Sequence, residues 1–290
     1  MNKVVKNVLR NCCSLIGRRN LYRTSRFLMS VARGDVDNTP FELNGEGMVQ
    51  EVSLRTAISP ITIFDVGANV GEWTGNLLKV ASGLGTPVHV HAFEPCSDTF
   101  KQLSQRLGAE PNVVLVNQAC SGSVGTATMH VYGYGGHAGT NSLAEPIDNR
   151  HSVGEKVHLT TVDSYCKAQE IANIDLLKID AEGHDFEVMA GASEMLDRNA
   201  IRILQFEYNH RWIGSREYLR DVFALLEPKG YSIGKLLGQR VEFYPRWLWE
   251  LETCTEANYI ACLKREKGQF RHCEPTWLLF DSDTSPGLVA

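Results

Sequence analysis

The most constraining feature of this chain is a glycine-bordered turn, Asp65-Val-Gly-Ala-Asn-Val-Gly71. It follows an apolar run, Ile61-Thr-Ile-Phe-Asp-Val66, and precedes a helical stretch reaching about Val80. A buried strand that enters a helix through a tight glycine turn opens the parallel α/β sheets, whose ligands bind beyond the carboxyl ends of the strands. Four more apolar runs follow, at Val88–Phe93, Val113–Val116, Ile174–Ile179 and Ile201–Phe206, with helical stretches between them. This alternation predicts an α/β fold with helices on both faces of a parallel sheet. Thr126–Tyr132 and Lys156–Thr160 alternate like an antiparallel pair around a glycine-rich loop, Gly133–Gly139. Tyr231–Lys235 and Asn258–Lys264 are candidates to complete the sheet. The reading divides the chain into a basic helix and linker over 1–59, a main domain over 60–265 and a loose tail over 266–290.

Charge narrows the partners. Residues 1–34 hold eight basic residues and no acidic one, which leaves 21 basic against 34 acidic elsewhere, a net −13. An acidic body is a poor match for a phosphate backbone, so nucleic acid is an unfavoured partner. In the basic head, Val4, Val5, Val8, Leu9, Cys12, Leu15 and Ile16 fall at helical spacing between Lys3, Lys6 and Arg10. Such an amphipathic helix either packs on the main domain or makes peripheral contact with a membrane. No apolar run is long enough to span a bilayer, and no secretory signal is visible. Eight cysteines without a Cys-x-x-Cys pair suit a reducing compartment, so the expectation is a cytoplasmic protein.

The turn also carries chemistry. The dinucleotide version is G-x-G-x-x-G, which holds a pyrophosphate on bare N–H groups. Here Asn69 stands at the middle glycine and Asp65 precedes the turn. An acid there repels phosphate and can receive a cationic amino group, so a nucleoside bearing an ammonium is expected. S-adenosylmethionine fits that description. Gly67, Ala68, Asn69 and Gly71 would form the cradle. Glu94, 23 residues after Gly71, would accept the ribose hydroxyls, and Asn117 and Gln118 at the third strand end would meet the adenine edge. A dehydrogenase on the same fold and a non-catalytic binder of the same nucleoside stay open as alternatives.

A second constellation, Leu177-Lys-Ile-Asp-Ala-Glu-Gly-His184, places Asp180, Glu182 and His184 at the fourth strand end, with Lys178 inside the strand. A hydroxyl acceptor must lose a proton as it attacks, and a positioned imidazole or carboxylate is the usual base. Asp180 also counts toward the donor side. Glu207 ends the fifth strand, and the run Gln205–Trp212 could wall an acceptor site. Asp180, Glu182 and Glu207 together leave a divalent metal open, with metal-free chemistry favoured. The loop Tyr132–Ser142, with His137, Thr140 and Asn141, is a candidate lid.

Phe64-Asp-Val-Gly-Ala-Asn-Val-Gly-Glu72, Phe93-Glu-Pro95, Thr161-Val-Asp163, Leu177-Lys-Ile-Asp-Ala-Glu-Gly183 and Gly191-Ala192 together resemble the FkbM-type methyltransferases over roughly residues 60–265. The resemblance implies a Rossmann-like class I methyltransferase fold, with a seven-stranded, mostly parallel sheet whose last strand is antiparallel. It implies S-adenosylmethionine as methyl donor and a hydroxyl of a sugar or natural-product-like small molecule as acceptor. On this resemblance Asp65, Gly67, Asn69, Gly71 and Glu94 look like the cofactor site, and Asp180, Glu182 and Gly183 like the acceptor-side motif.

Overall fold

A computed structural model of the chain describes residues 17–35, 43–58, 60–132, 141–147 and 151–278, with Lys3, Lys6, Cys13 and Phe41. Val4–Ile16, apart from Lys6 and Cys13, and the loop residues His137 and Thr140 lie outside the described residues. The chain divides into two compact units, Met1–Asn38 with Thr276–Ala290, and Thr39–Pro275.

In the smaller unit a helix, α1 (Arg18–Arg33), ends at Gly34, whose φ of 61° lets the next N–H reach back to Ser30 O. The Arg33 guanidinium lies 5.4 Å from the Trp277 ring.

The first helix of the larger unit is α2 (Glu46–Thr56), within the stretch read as basic helix and linker. There follow β1 (Ile61–Val66), α3 (Glu72–Leu84), β2 (Val88–Phe93), α4 (Ser97–Leu107) and β3 (Val113–Val116). Next come β4 (Ala119–Cys120), β5 (Gly125–Val131), β6 (Val153–Thr160), α5 (Val162–Ala168), β7 (Ile174–Ile179), α6 (Asp185–Ala190) and α7 (Ser193–Asp197). The chain then forms β8 (Ile201–Tyr208), α8 (Trp212–Ser215), α9 (Leu219–Leu226), β9 (Tyr231–Leu236), β10 (Val241–Tyr244), β11 (Ala257–Leu263) and β12 (His272–Cys273).

The main sheet has nine strands, ordered β12-β10-β9-β11-β8-β7-β1-β2-β3, not the seven expected. Strands β3, β2, β1, β7 and β8 run parallel, and β11 is antiparallel to both β8 and β9. The two further strands arise because β10 folds back antiparallel on β9 and β12 adds in parallel to β10. Burial drives that extension: Val241, Phe243 and Phe270 join the same apolar cluster as Leu236 and Ile260. The stretch from Gly268, read as a loose tail, therefore enters the sheet as far as Cys273. The antiparallel pair read from the sequence forms as β5 and β6, which with β4 make a separate three-stranded sheet.

Alternation along the strands sets the two faces. Ile61, Ile63, Val88, Val90, Leu176 and Ile203 pack with Trp73, Leu77 and Ala81 of α3 and Met48, Val49 and Leu54 of α2. On the opposite face Phe64, His91 and Phe93 ring Tyr165 of α5, at centroid distances of 4.8–5.7 Å. Both faces are covered, which is why these strands read as near-continuous apolar runs. Among the described residues, no helix is long and apolar enough to cross a membrane.

Candidate active site

The strand order reverses direction between β1 and β7, the switch point at which parallel sheets open a crevice. Val66 pairs with both Phe93 and Ile179, so three strands end level. Beyond their ends the backbone is laced together: Gly67 and Ala68 N–H both donate to Phe93 O, at 3.0 and 2.9 Å, and Asp180 N–H donates to Val66 O at 2.9 Å. A crevice open to solvent, enclosing about 630 Å³ with that open space included, lies over these ends. Gly67 and Asn69 line one side, Phe93, Glu94 and Pro95 another, and Asp180, Ala181, Glu182 and His184 a third. Gln118, Met129 and Asn141–Leu143 complete it.

Asn141 of the candidate lid lines this crevice, as do seven of the cofactor-binding and catalytic candidates: Gly67, Asn69, Glu94, Gln118, Asp180, Glu182 and His184. Asp65, Ala68, Gly71 and Asn117 do not. Asp65 shares the sheet face of Ile61 and Ile63, so alternation turns its side chain toward α3 and out of the crevice lining. It is fully buried, accepts a hydrogen bond from Thr74 Oγ1 at 2.6 Å and pairs with Lys178 Nζ at 3.1 Å. It therefore stands beneath the crevice and not in the lining where a receptor of a cationic amino group was expected. Ala68 packs with Ala92, Leu103 and Leu107. Gly71, φ 83°, faces the same leucines, where an added Cβ would lie 2.7 Å from Leu107. The Asn117 amide donates to the carbonyls of Glu94 and Pro95, at 2.9 and 3.1 Å, which commits it to holding the strand end.

Lys178, read from the sequence only as a residue inside the fourth strand, is the hub of the buried charges. Its side chain is 6% exposed, and Nζ meets Asp65 at 3.1 Å, Asp180 at 3.3 Å and Gly67 O at 3.3 Å. Burial alone would lower its pKa, but Asp65, Asp180 and Glu46 reverse the sign and hold it above the ordinary lysine value. Cross-strand pairing explains the cluster, because Asp65 lies beside Lys178 and Lys178 beside Gln205 on one face. Glu46, at the start of α2, closes this buried polar layer. Burial pushes its carboxyl up, and Gln205 and Asn44 hydrogen-bond to it. No local motif ties Glu46 to this layer, since Lys178 and Gln205 lie more than a hundred residues away in the chain.

Glu94 Oε2 accepts from Asn69 N–H at 3.0 Å and Oε1 from Cys96 N–H at 2.9 Å. Burial pushes its pKa up to about 7, against the pull of these two donors. Asn69 Oδ1 is buried at the crevice wall without a hydrogen-bond partner. His184 precedes α6, with Nε2 3.0 Å from Ser121 Oγ, and burial lowers its pKa. Glu182, at a left-handed φ of 54°, forms an ion pair with Arg211, while burial and Asp180 push its carboxyl up. Glu207, outside the crevice, is likewise raised by burial and by Asp180 and Glu182. Among the described residues, no group of three His, Cys, Asp or Glu side chains is placed to hold a metal ion. A smaller hollow of about 270 Å³, lined by Tyr132, Ser142, Ile147, Glu182 and Arg211, shares Ser142 and Glu182 with the main crevice.

The profile of the methyltransferase FkbM domain matches residues 65–233, more than half of the chain. Among curated proteins, the hexuronic acid methyltransferase AglP of Haloferax volcanii is 27% identical over 158 residues, 53% of this chain and 59% of AglP. The chain thus spans about three fifths of that relative's length. Among solved structures, an FkbM methyltransferase from Methylobacillus flagellatus superposes with a TM-score of 0.42 at 15% identity, over 73% of this chain and 47% of that one. A SAM-dependent methyltransferase from Agrobacterium tumefaciens gives 0.40 at 10% identity, over 77% and 62%.

Proposed function

The chain belongs to the FkbM methyltransferase family, and from that premise we propose that it methylates a hydroxyl of a sugar or similar small molecule with S-adenosylmethionine as donor. The observation that carries the reading is the crevice at the β1/β7 switch, where a buried carboxyl, an orphaned amide oxygen and a lysine-held carboxylate face one space. That set suits a nucleoside with a ribose and a cationic amino acid end. When bound, S-adenosylmethionine supplies a methyl group already activated on a sulfonium.

The protein's own groups align and desolvate. The two backbone N–H donors fix the Glu94 carboxyl, whose remaining lone pairs can accept the ribose hydroxyls. Asn69 Oδ1 adds an acceptor beside it, and the Gln118 amide is available to the adenine edge. Asp180, steadied by Lys178 Nζ, takes over the role of receiving the ammonium group that Asp65 is too deeply buried to play. Orientation of this kind is worth on the order of 7–11 kcal/mol.

On the acceptor side, burial keeps the His184 imidazole unprotonated at neutral pH, and the hydrogen bond to Ser121 fixes its ring. It is the first choice to take the acceptor's proton, with Asp180 and Glu182 lining the same wall, and base assistance contributes a factor of about 10² to 10⁴. The hollow beside Glu182 and Arg211 provides room for the rest of the acceptor. AglP, a methyltransferase of hexuronic acid, supports a sugar as that acceptor.

The test is transfer of labelled methyl from S-adenosylmethionine to a panel of neutral and acidic sugars. The expected product resists mild base, as an ether does and a methyl ester does not. Asp180→Asn and His184→Ala should each lower turnover about a hundredfold or more. Full turnover in both variants would remove the acid–base assignment, and a base-labile product would move the methyl to a carboxylate.

A further inference from the structure

Helix α1 presents a surface that the methyl-transfer site leaves unexplained. Arg19, Arg23 and Arg26, spaced i, i+4, i+7, form a basic stripe, and the helix contains no acidic residue. Leu21, Leu28 and Ala32 follow the i, i+7, i+11 spacing of another face, flanked by Tyr22 and Met29 on one side and Phe27 and Val31 on the other. Tyr22, Phe27, Leu28, Met29 and Val31 are each between 59% and 65% exposed. Single exposed apolar residues are common, but five large ones on a single helix form a surface that calls for a partner.

We propose that α1 lies in the interface plane of an anionic membrane, with its apolar face in the acyl boundary and its arginines among the lipid headgroups. Two observations select this partner. A wide apolar face bordered by arginines, with no acid between them, complements a surface that is negative outside and apolar beneath. The helix has 16 residues and five arginines, and no described helix is apolar enough to cross a bilayer, so it rests on the membrane and does not pass through it. The Arg26 guanidinium, 5.8 Å from the Tyr22 ring, sits at the border between the two faces, where interfacial Tyr and Arg side chains are favoured.

The experiment is cosedimentation of the full chain with phosphatidylcholine vesicles, with and without phosphatidylserine. Binding should require the anionic lipid and weaken as salt rises. R19Q, R23Q and R26Q should each lower the vesicle affinity about fivefold, the factor expected from about 1 kcal/mol per basic residue near the surface. F27S with V31S should abolish binding while the far-ultraviolet circular dichroism stays unchanged. Equal binding to neutral vesicles, or full retention in the arginine variants, would overturn the electrostatic part. A dimer in sedimentation equilibrium that F27S dissolves, with no vesicle binding, would assign the face to a second copy. Tight binding to duplex RNA with no vesicle binding would assign the stripe to nucleic acid. Either result overturns the proposal.

Discussion

A lysine ammonium 6% exposed inside a domain is tolerated only where its charge and all three protons are answered. Lys178 meets that condition with Asp65, Asp180 and Gly67 O. Breaking such a pair on one side leaves a stranded charge, typically a loss of about 3–5 kcal/mol. Lys178→Met is therefore expected to lower stability by about that amount in urea unfolding, and Asp65→Asn added to it to recover a large part. Independent, additive losses would contradict the hub. Glu94 gives a second prediction. Hydrogen bonds to a charged group are worth about 1.5–3 kcal/mol, so Glu94→Gln should weaken S-adenosylhomocysteine binding by about tenfold or more in titration calorimetry. Its pKa is raised to about 7, chiefly by burial, with Lys178 lowering and Asp65 raising it. The ionised form is the better acceptor and is lost as pH falls, so affinity should drop from pH 8 to pH 6, and the Gln variant should flatten that slope.

At the level of elements, the turns after β1 and β7 behave as one structure. Gly67 has φ 77°, and an added Cβ would stand 1.9 Å from Asp180 O. Its glycine character thus serves the approach of a neighbouring turn as well as the crevice it lines. Left-handed strain and overpacking each cost about 1–3 kcal/mol, so Gly67→Ala should lower the melting temperature and the donor affinity together. A variant with normal melting but no donor binding would show instead that the space at Gly67 belongs to the ligand alone. The strand–turn–helix units were legible because their signal is local: apolar runs of four to six residues, glycines at fixed offsets, and acids at strand ends. The side-chain direction of Asp65 was also legible, since it shares the parity of Ile61 and Ile63, but the motif's usual chemistry pointed the other way. The extension to nine strands was not. Strand β10 pairs with β9 through a close hairpin and with β12 some thirty residues on, burying Val241, Phe243 and Phe270 in segments whose periodicity is weak.

On the scale of the whole molecule, two polar systems meet at the carboxyl ends of the sheet. The first is the buried layer Asp65–Lys178–Gln205–Glu46, which braces the turns from below. The second is the crevice wall of Glu94, Asn69, Asp180, Glu182 and His184 above it. Lys178 touches both, through Asp65 and Asp180. Sequence spacing identified most of the wall, because each member ends a strand or follows one by a few residues. It missed Ser121 and Glu46 and gave Arg211 only as a member of the Gln205–Trp212 run, because their parts depend on how α2, α6 and the segment after β8 pack. A structure of the protein crystallised with S-adenosylhomocysteine tests the account most directly. The account predicts the ribose hydroxyls on Glu94 and the amino group at Asp180, with Asp65 still held by Lys178 and Thr74. A ligand bound elsewhere, or one whose amino group reaches Asp65 with Asp180 turned away, would contradict it.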